Sequence, residues 1–235
     1  SKLLLKYSIP AIIGMLVNSL YNVVDRIFIG NIPGVGPLAI TGLGVTMPIM
    51  TIILAFGMLI GIGTTTTISI KLGQGKVEEA RKLIGNAMTL SVITGIIIMI
   101  LGILFANKIL TLFGASENTL IYAKSYINII LLGTVVNLLS FSLNHSIRAD
   151  GSPKISAGIM QGAAIATVTS QALTAILTIG YYISGKSNLR FSKSNLKLDK
   201  KLIKAVFAIG MSPFAMQLAA SLVQVISNIA LKTHG

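Results

Sequence analysis

The chain has 235 residues, of which 53% are hydrophobic and only 11% are charged. Soluble domains carry roughly 25% charged residues, so this composition excludes an ordinary soluble domain. A net charge of +13 is compatible with nucleic-acid binding, but the basic residues lie in short segments between long apolar blocks. That placement is typical of membrane proteins, and we expect no nucleic-acid partner.

Six apolar blocks follow one another, and each is longer than the ~20 residues that a helix needs to span a bilayer. The predicted spans cover about residues 8–30, 40–72, 84–113, 121–149, 155–183 and 202–231. The sequence therefore predicts an all-α, polytopic transmembrane helical bundle, surrounded by lipid and inserted in the cell membrane as a multi-pass protein.

The Lys and Arg residues of the connections predict the topology, because they favour the cytoplasmic side. They place Lys76 and Lys200 inside and the Gly34–Gly36 segment outside. One crossing through 155–183 would, however, put the strongly basic segment 185–201 outside. Two crossings would restore the alternation, but about 29 residues cannot supply two full helices.

Three explanations fit this conflict: a re-entrant hairpin, a failure of the charge rule, or a span missing near residues 158–161. We favour the missing span, because the segment Gly158-Ile-Met-Gln-Gly162 carries no turn signal where a connection should be.

Asp25 is the one acidic residue within an apolar span. A carboxylate there costs about 2.5–3.5 kcal/mol on insertion scales and is a functional candidate by default. Asn18, Asn22 and Asp25 fall on one helix face, which Tyr21 borders. A carboxylate beside amide oxygens can take up a proton or hold a sodium ion. The alternative is that Asp25 pairs with Arg26 as an anchor at the outer interface.

Three other spans carry polar residues at helical spacing, and such stripes face neighbouring helices or a wet cavity rather than lipid. We predict a shared polar cavity, and interhelical hydrogen bonding is the alternative. The stripes are Asn137, Asn144 and Arg148; Thr167, Gln171, Thr174 and Thr178; and Gln217, Ser221, Gln224 and Asn228. The residues predicted to line the cavity are Tyr21, Asn137, Asn144, Gln171, Gln217, Gln224 and Asn228.

Glycines at Gly57-x-x-x-Gly61 and at Gly42 and Gly44 predict close helix approach. The sequence contains no His-Glu-x-x-His and no Gly-x-Ser-x-Gly motif, and it is not expected to be an enzyme. Superposing Pro10 on Pro213 also brings Asp25 opposite Asn228, which suggests that the first and last spans are equivalent helices of two parallel repeats.

Four motifs in order resemble those of the multidrug and toxic compound extrusion (MATE) family. They are Asn22-Val-Val-Asp-Arg-Ile-Phe-Ile-Gly30, Leu72-Gly-Gln-Gly-Lys-Val-Glu-Glu-Ala80, Ile147-Arg-Ala-Asp-Gly-Ser-Pro-Lys154 and Gly162-Ala-Ala-Ile-Ala-Thr-Val168. The resemblance implies one lobe of a two-lobe, twelve-helix transporter that exports organic cations and drugs in exchange for Na+ or H+, with no other cofactor.

On this resemblance, residues 1–184 form the N-terminal lobe, 185–201 a basic cytoplasmic inter-lobe loop and 202–235 the first helix of the C-terminal lobe, whose remainder is the expected partner. Asp25 matches the coupling acid of the family's first helix and is the candidate sodium ligand. Thr167 matches a threonine of the same site, to which Asn18 and Asn22 would add oxygen atoms. The family's fifth helix is absent, near 158–161. The alternatives are a lipid-linked precursor flippase of the same superfamily and a non-transporting truncated fragment.

Overall fold

The computed structural model describes residues 34–149, 176–182 and 193–234, with the isolated positions 23, 27, 30 and 31. Within these ranges the chain forms four long α-helices and one short 3-10 helix, and it contains no strand. The α-helices are α1 (Gly36–Gly73), α2 (Val77–Leu112), α3 (Glu117–Ala149) and α4 (Lys200–His234), and the 3-10 helix is Lys193–Leu196. Residues 176–182 are also helical.

All four long helices are long and apolar enough to cross a membrane, with mean hydropathies of 2.3, 2.6, 1.8 and 1.7 over their most apolar windows. They correspond to the predicted second, third, fourth and last spans, and the all-α fold class is confirmed. The predicted first span, most of the 155–183 block and the junction at 158–161 lie outside the described residues.

Contacts between the helices fix their relative directions. Gly42 of α1 lies against Thr119 near the start of α3, and Gly61 lies against Ser142 further along it, so the two helices are parallel. The Ser91 and Ser142 hydroxyls lie 2.7 Å apart, and the next turns of α2 meet earlier residues of α3. Helix α2 therefore runs antiparallel to both.

Helix α4 packs along α1 in the opposite direction. Near the start of α4, Gly210 lies against the backbone of Leu59, and one turn further the ring of Phe214 meets that of Phe56 edge to face at 5.0 Å. Near its other end, Asn228 reaches Gly44. The pair therefore remains in contact over most of its length.

The basic connections gather at one end of the bundle, called the basic end below. Lys76 lies there between α1 and α2, and Lys200 begins α4 beside the first turns of α2. The Gly34–Gly36 segment and the start of α3 lie at the opposite end. The charge pattern predicted that Lys76 and Lys200 share one side and Gly34–Gly36 the other, and this relative placement is confirmed.

Two apolar clusters fill the interior. The cluster at the basic end joins all four helices to the helical segment 176–182 and includes Leu83, Ile147, Tyr182 and Val206. The other lies between α1, α2 and α3 and includes Ile53, Ile127 and Leu131. The outward faces of α2 and α4 remain exposed and apolar, as expected for surfaces that face lipid or further helices.

Glycines set the closest helix approaches. A Cβ built on Gly57 or Gly61 would lie 3.2 Å from α3 atoms, and the predicted role of this pair in packing is confirmed. A Cβ on Gly63 or Gly210 would overlap a backbone carbonyl oxygen of the facing helix, so α1 and α4 touch backbone to backbone there. In the part of the chain that the structure describes, nothing lies within 4 Å of a Cβ built on Gly44, so the close approach predicted at this glycine is not found there.

Candidate functional site

The chain between the 3-10 helix and α4 is fastened to α2 by one buried asparagine. Asn86 donates from Nδ2 to the carbonyl oxygen of Lys197 at 3.1 Å and accepts at Oδ1 from the N–H of Asp199 at 2.7 Å. Thr89, one turn further along α2, donates to the carbonyl oxygen of Leu196 at 2.9 Å. The polar side chains of α2 thus hold the end of the basic loop in place.

Asp199 connects this attachment to the first turn of α4. Its Oδ1 accepts from the N–H of Lys201 at 2.9 Å and from that of Leu202 at 3.4 Å. These bonds are those of an N-cap, which satisfies first-turn donors of the helix. Because the backbone of Asp199 is bound by Asn86 and its side chain caps α4, the start of α4 has a fixed position on α2.

Asn86→Leu should release this loop. The change preserves side-chain volume but leaves the Lys197 carbonyl and the Asp199 N–H without their partner, at a cost of about 1–3 kcal/mol. We expect a lower melting temperature in detergent and faster trypsin cleavage at Lys197, Lys200 and Lys201. Asn107→Leu, at an exposed asparagine of the same helix, is the matched control, and equal cleavage of the two variants would contradict the fastening role.

The basic end also carries ion pairs between α1 and α2. The Lys71 ammonium lies 2.7 Å from the Glu79 carboxylate, and Lys76 lies 3.8 Å from the same group. Arg81 pairs with Glu78 one turn away. These groups are partly exposed, so the pairs contribute little to stability.

The polar stripe of α4 faces α1. Ser221 donates to the carbonyl oxygen of Pro48 at 3.1 Å, and Asn228 donates to that of Gly44 at 3.3 Å. The Thr51 hydroxyl donates to Gln224 Oε1 at 3.0 Å. Three of the four stripe residues therefore take part in interhelical hydrogen bonds. For this stripe, interhelical bonding was the alternative to the predicted polar cavity.

The predicted cavity residues of α3 and α4 lie on two helices that both pack against α1. Asn144 is buried and Asn137 half-buried on α3, while Gln217 is half-buried on α4. Within the described ranges α3 and α4 do not contact each other, whereas α1 packs against both. This part of the chain does not bring the two stripes into one cavity, and a substrate-lining role for these residues stays a prediction.

The expected coupling residues Asp25, Asn22, Asn18 and Thr167, with Tyr21 and Gln171 of the predicted cavity, lie outside the described residues. Among those described, no group of three acidic or histidine side chains has the arrangement of a metal site. The candidate sodium ligand Asp25 lies outside this part of the chain.

Further buried hydroxyl groups form a feature of which the sequence analysis named only Thr178. Ser91 and Ser142 share a hydrogen bond between α2 and α3, and both are fully buried. Thr64 and Thr178 are equally buried, and among the described residues their hydroxyl oxygens have no hydrogen-bond partner. The four-threonine run beginning at Thr64 was the available signal. Such hydroxyls suit interhelical bonding or the wall of a polar cavity.

An open groove of about 650 Å³ lies at the end opposite the basic loop, between α2 and α4. None of the predicted cavity residues that the structure describes lines it. Its walls are formed by Asn107, Lys108, Thr111, Leu112, Gly114, Ile229 and Lys232. The Lys232 ammonium is held by the carbonyl oxygen of Ala115 at 2.9 Å, so this groove is a cationic surface feature and not an interior site.

A bundle of long apolar helices joined by buried polar contacts defines a multi-pass membrane protein. The MatE family model matches residues 10–173, and the chain belongs to this family of multidrug and toxic compound extrusion transporters. Membership of a transporter family agrees with the expectation that the chain is not an enzyme.

Relatives and solved structures agree with this assignment. The chain is 28% identical to the multidrug export protein MepA of Staphylococcus haemolyticus and 24% identical to that of Staphylococcus aureus. It is similar to the MATE multidrug transporter DinF-BH, solved in complex with rhodamine 6G, at 34% identity and a TM-score of 0.88. An outward-facing multidrug resistance MATE family transporter, at 21% identity and a TM-score of 0.83, shares the fold.

These similarities cover one part of the related proteins. All of this chain aligns with the two MepA proteins, but it spans only 56% of their length, and it spans 57% of DinF-BH. The MepA alignments run over 256 positions, against 235 residues here, so at least 21 of those positions have no residue in this chain. That number is about the length of one membrane-spanning helix.

Proposed function

We propose that this chain supplies the N-terminal lobe and the first C-terminal-lobe helix of a secondary active multidrug efflux antiporter. The protein would export organic cations in exchange for Na+ or H+ across the cell membrane. The observation that carries the proposal is the family match over residues 10–173, supported by 34% identity to a MATE multidrug transporter solved with rhodamine 6G bound.

The coupling site of this proposal centres on Asp25. Asn18, Asn22 and Thr167 supply neutral oxygen atoms, which suit a hard monovalent cation or a hydrogen-bonded protonated carboxyl. A carboxyl group in the bilayer favours its neutral form, because burial disfavours charge. A bound sodium ion or a proton provides the missing positive charge.

The proposal also includes a fifth helix between residues 158 and 161, absent from the chain as given. Two independent observations support it. The charge alternation fails across this junction, and Lys76 and Lys200 nevertheless lie at the same end of the bundle. The MepA alignments contain at least 21 positions without a counterpart here.

Transport in proteoliposomes tests the function. The intact gene product, with rhodamine 6G as the fluorescent cation, should export the dye when a sodium or proton gradient is imposed. Collapsing each gradient separately identifies the coupling ion, and vesicles without a gradient are the control. A folded, inserted protein that moves no cation under either gradient would contradict efflux and leave flipping of lipid-linked precursors or a non-transporting role.

A further inference from the structure

Pro48 leaves a gap in the hydrogen bonding of α1. The proline lies within the helix and has no N–H, so the carbonyl of Gly44, four residues earlier, lacks its normal donor. Where water is excluded, as in a closed helix contact inside a bilayer, a backbone carbonyl without a partner is unfavourable. Another group must therefore bind the Gly44 oxygen.

The group that fills this gap comes from α4. Asn228 donates from Nδ2 to the Gly44 carbonyl oxygen at 3.3 Å. Within the described ranges no atom of α4 or of another helix lies within 4 Å of a Cβ built on Gly44, so α4 uses the carbonyl of this residue and not the absence of its side chain. Two turns away, Ser221 donates to the carbonyl of Pro48 itself at 3.1 Å, so both ends of the proline turn are bound.

The contact between α1 and α4 is tighter and apolar nearer the basic end. There Gly63 and Gly210 bring the two backbones into direct contact, with no room for even a methyl group. A backbone crossing of this kind allows small rotations but resists separation, because packing is lost without any compensating hydration. At the other end of the contact, the hydrogen bonds between α1 and α4 can be replaced by bonds to water at modest net cost, since each donor and acceptor is then hydrated.

We propose that Pro48 and Asn228 form a latch between the two lobes, with the crossing of Gly63 and Gly210 as its pivot. The inference rests on the proposed function, which assigns α1 and α4 to different lobes. When the end opposite the basic loop opens, α4 rotates about the pivot and the bonds of Gly44, Pro48 and Thr51 are transferred to water. When that end closes, Asn228 again binds the carbonyl that Pro48 leaves free.

A double-mutant cycle in the intact protein tests the pairing. Asn228→Leu leaves the Gly44 carbonyl without a donor and should lower the Tm in detergent by about 3 °C. Pro48→Ala restores a backbone N–H to α1, so the Gly44 carbonyl no longer needs Asn228. Adding Pro48→Ala should therefore cancel most of the Tm loss of Asn228→Leu. The control is Asn137→Leu on α3, which Pro48→Ala should not rescue.

Distance measurements test the latch itself without any transport assay. Nitroxide labels at the exposed positions Leu38 and Leu231, near this end of α1 and α4, should show a larger share of long distances in Asn228→Leu than in the parent. The double variant should regain the Tm yet remain open, because the interhelical bond stays broken.

Three results would overturn the proposal: an unchanged Tm in Asn228→Leu, additive effects of the two substitutions, or identical distance distributions in the parent and Asn228→Leu. The outcomes also separate the latch from the proposed function. Suppose that Pro48→Ala restores the Tm, that the label distances shift in Asn228→Leu, and that the parent protein exports no cation. This combination would support the latch and reject the antiporter.

Discussion

Asp25→Asn should abolish cation-driven efflux by the intact protein while expression and membrane insertion stay normal. The substitution preserves the shape of the side chain and removes the titratable group. Without a carboxylate the site gains nothing from a bound proton, and it loses the one negative charge that would hold a sodium ion. Transport should fall at least tenfold, to the level of vesicles without a gradient, in the assay with rhodamine 6G.

The matched control for Asp25→Asn is Glu117→Gln, which removes a carboxylate from the first turn of α3 outside any expected coupling site. This variant should transport as the parent does. If Asp25→Asn exports the dye at the parental rate, Asp25 is an interface anchor, and the coupling group must be sought elsewhere.

Gly210→Ala should be the most damaging small substitution in α4. A Cβ at this position would overlap the carbonyl oxygen of Leu59, with the carbonyl carbon and the Cα directly behind it. These are backbone atoms of a packed helix, which cannot move aside as a flexible side chain can. The helices must separate locally, and we expect a loss of about 1–3 kcal/mol, the usual range for overpacking.

Gly44→Ala, in the same contact between α1 and α4, should not destabilise the protein. Among the described residues, no atom lies within 4 Å of the new methyl group, and alanine favours the helix over glycine by up to about 1 kcal/mol. Thermal unfolding of both variants in the same detergent measures the contrast. Equal melting temperatures for the two variants would show that the α1–α4 crossing is not the tight contact described here.

The contacts of Asn228 and of Asn86 show why the pattern of polar residues in one helix does not identify the residues that they bind. The spacing of Ser221, Gln224 and Asn228 shows that one face of α4 is polar, but the same spacing fits a wet cavity and a helix contact equally well. What decides between them is the partner of Ser221, which is the carbonyl of Pro48, about 170 residues earlier in the chain. The sequence did not single out Asn86, because the two asparagines of α2, Asn86 and Asn107, lie too far apart to form a periodic stripe.

The sequence by itself determined the class of protein, the approximate positions of the four described spans and the shared side of Lys76 and Lys200. These properties depend on hydropathy, length and charge, which act on each segment independently of its neighbours. Only the tertiary structure decided that the α4 stripe binds α1, that Gly63 and Gly210 meet, and that Asn86 holds Asp199. Those contacts depend on which helices are adjacent and how they are rotated, and no single helix encodes the position of its partner.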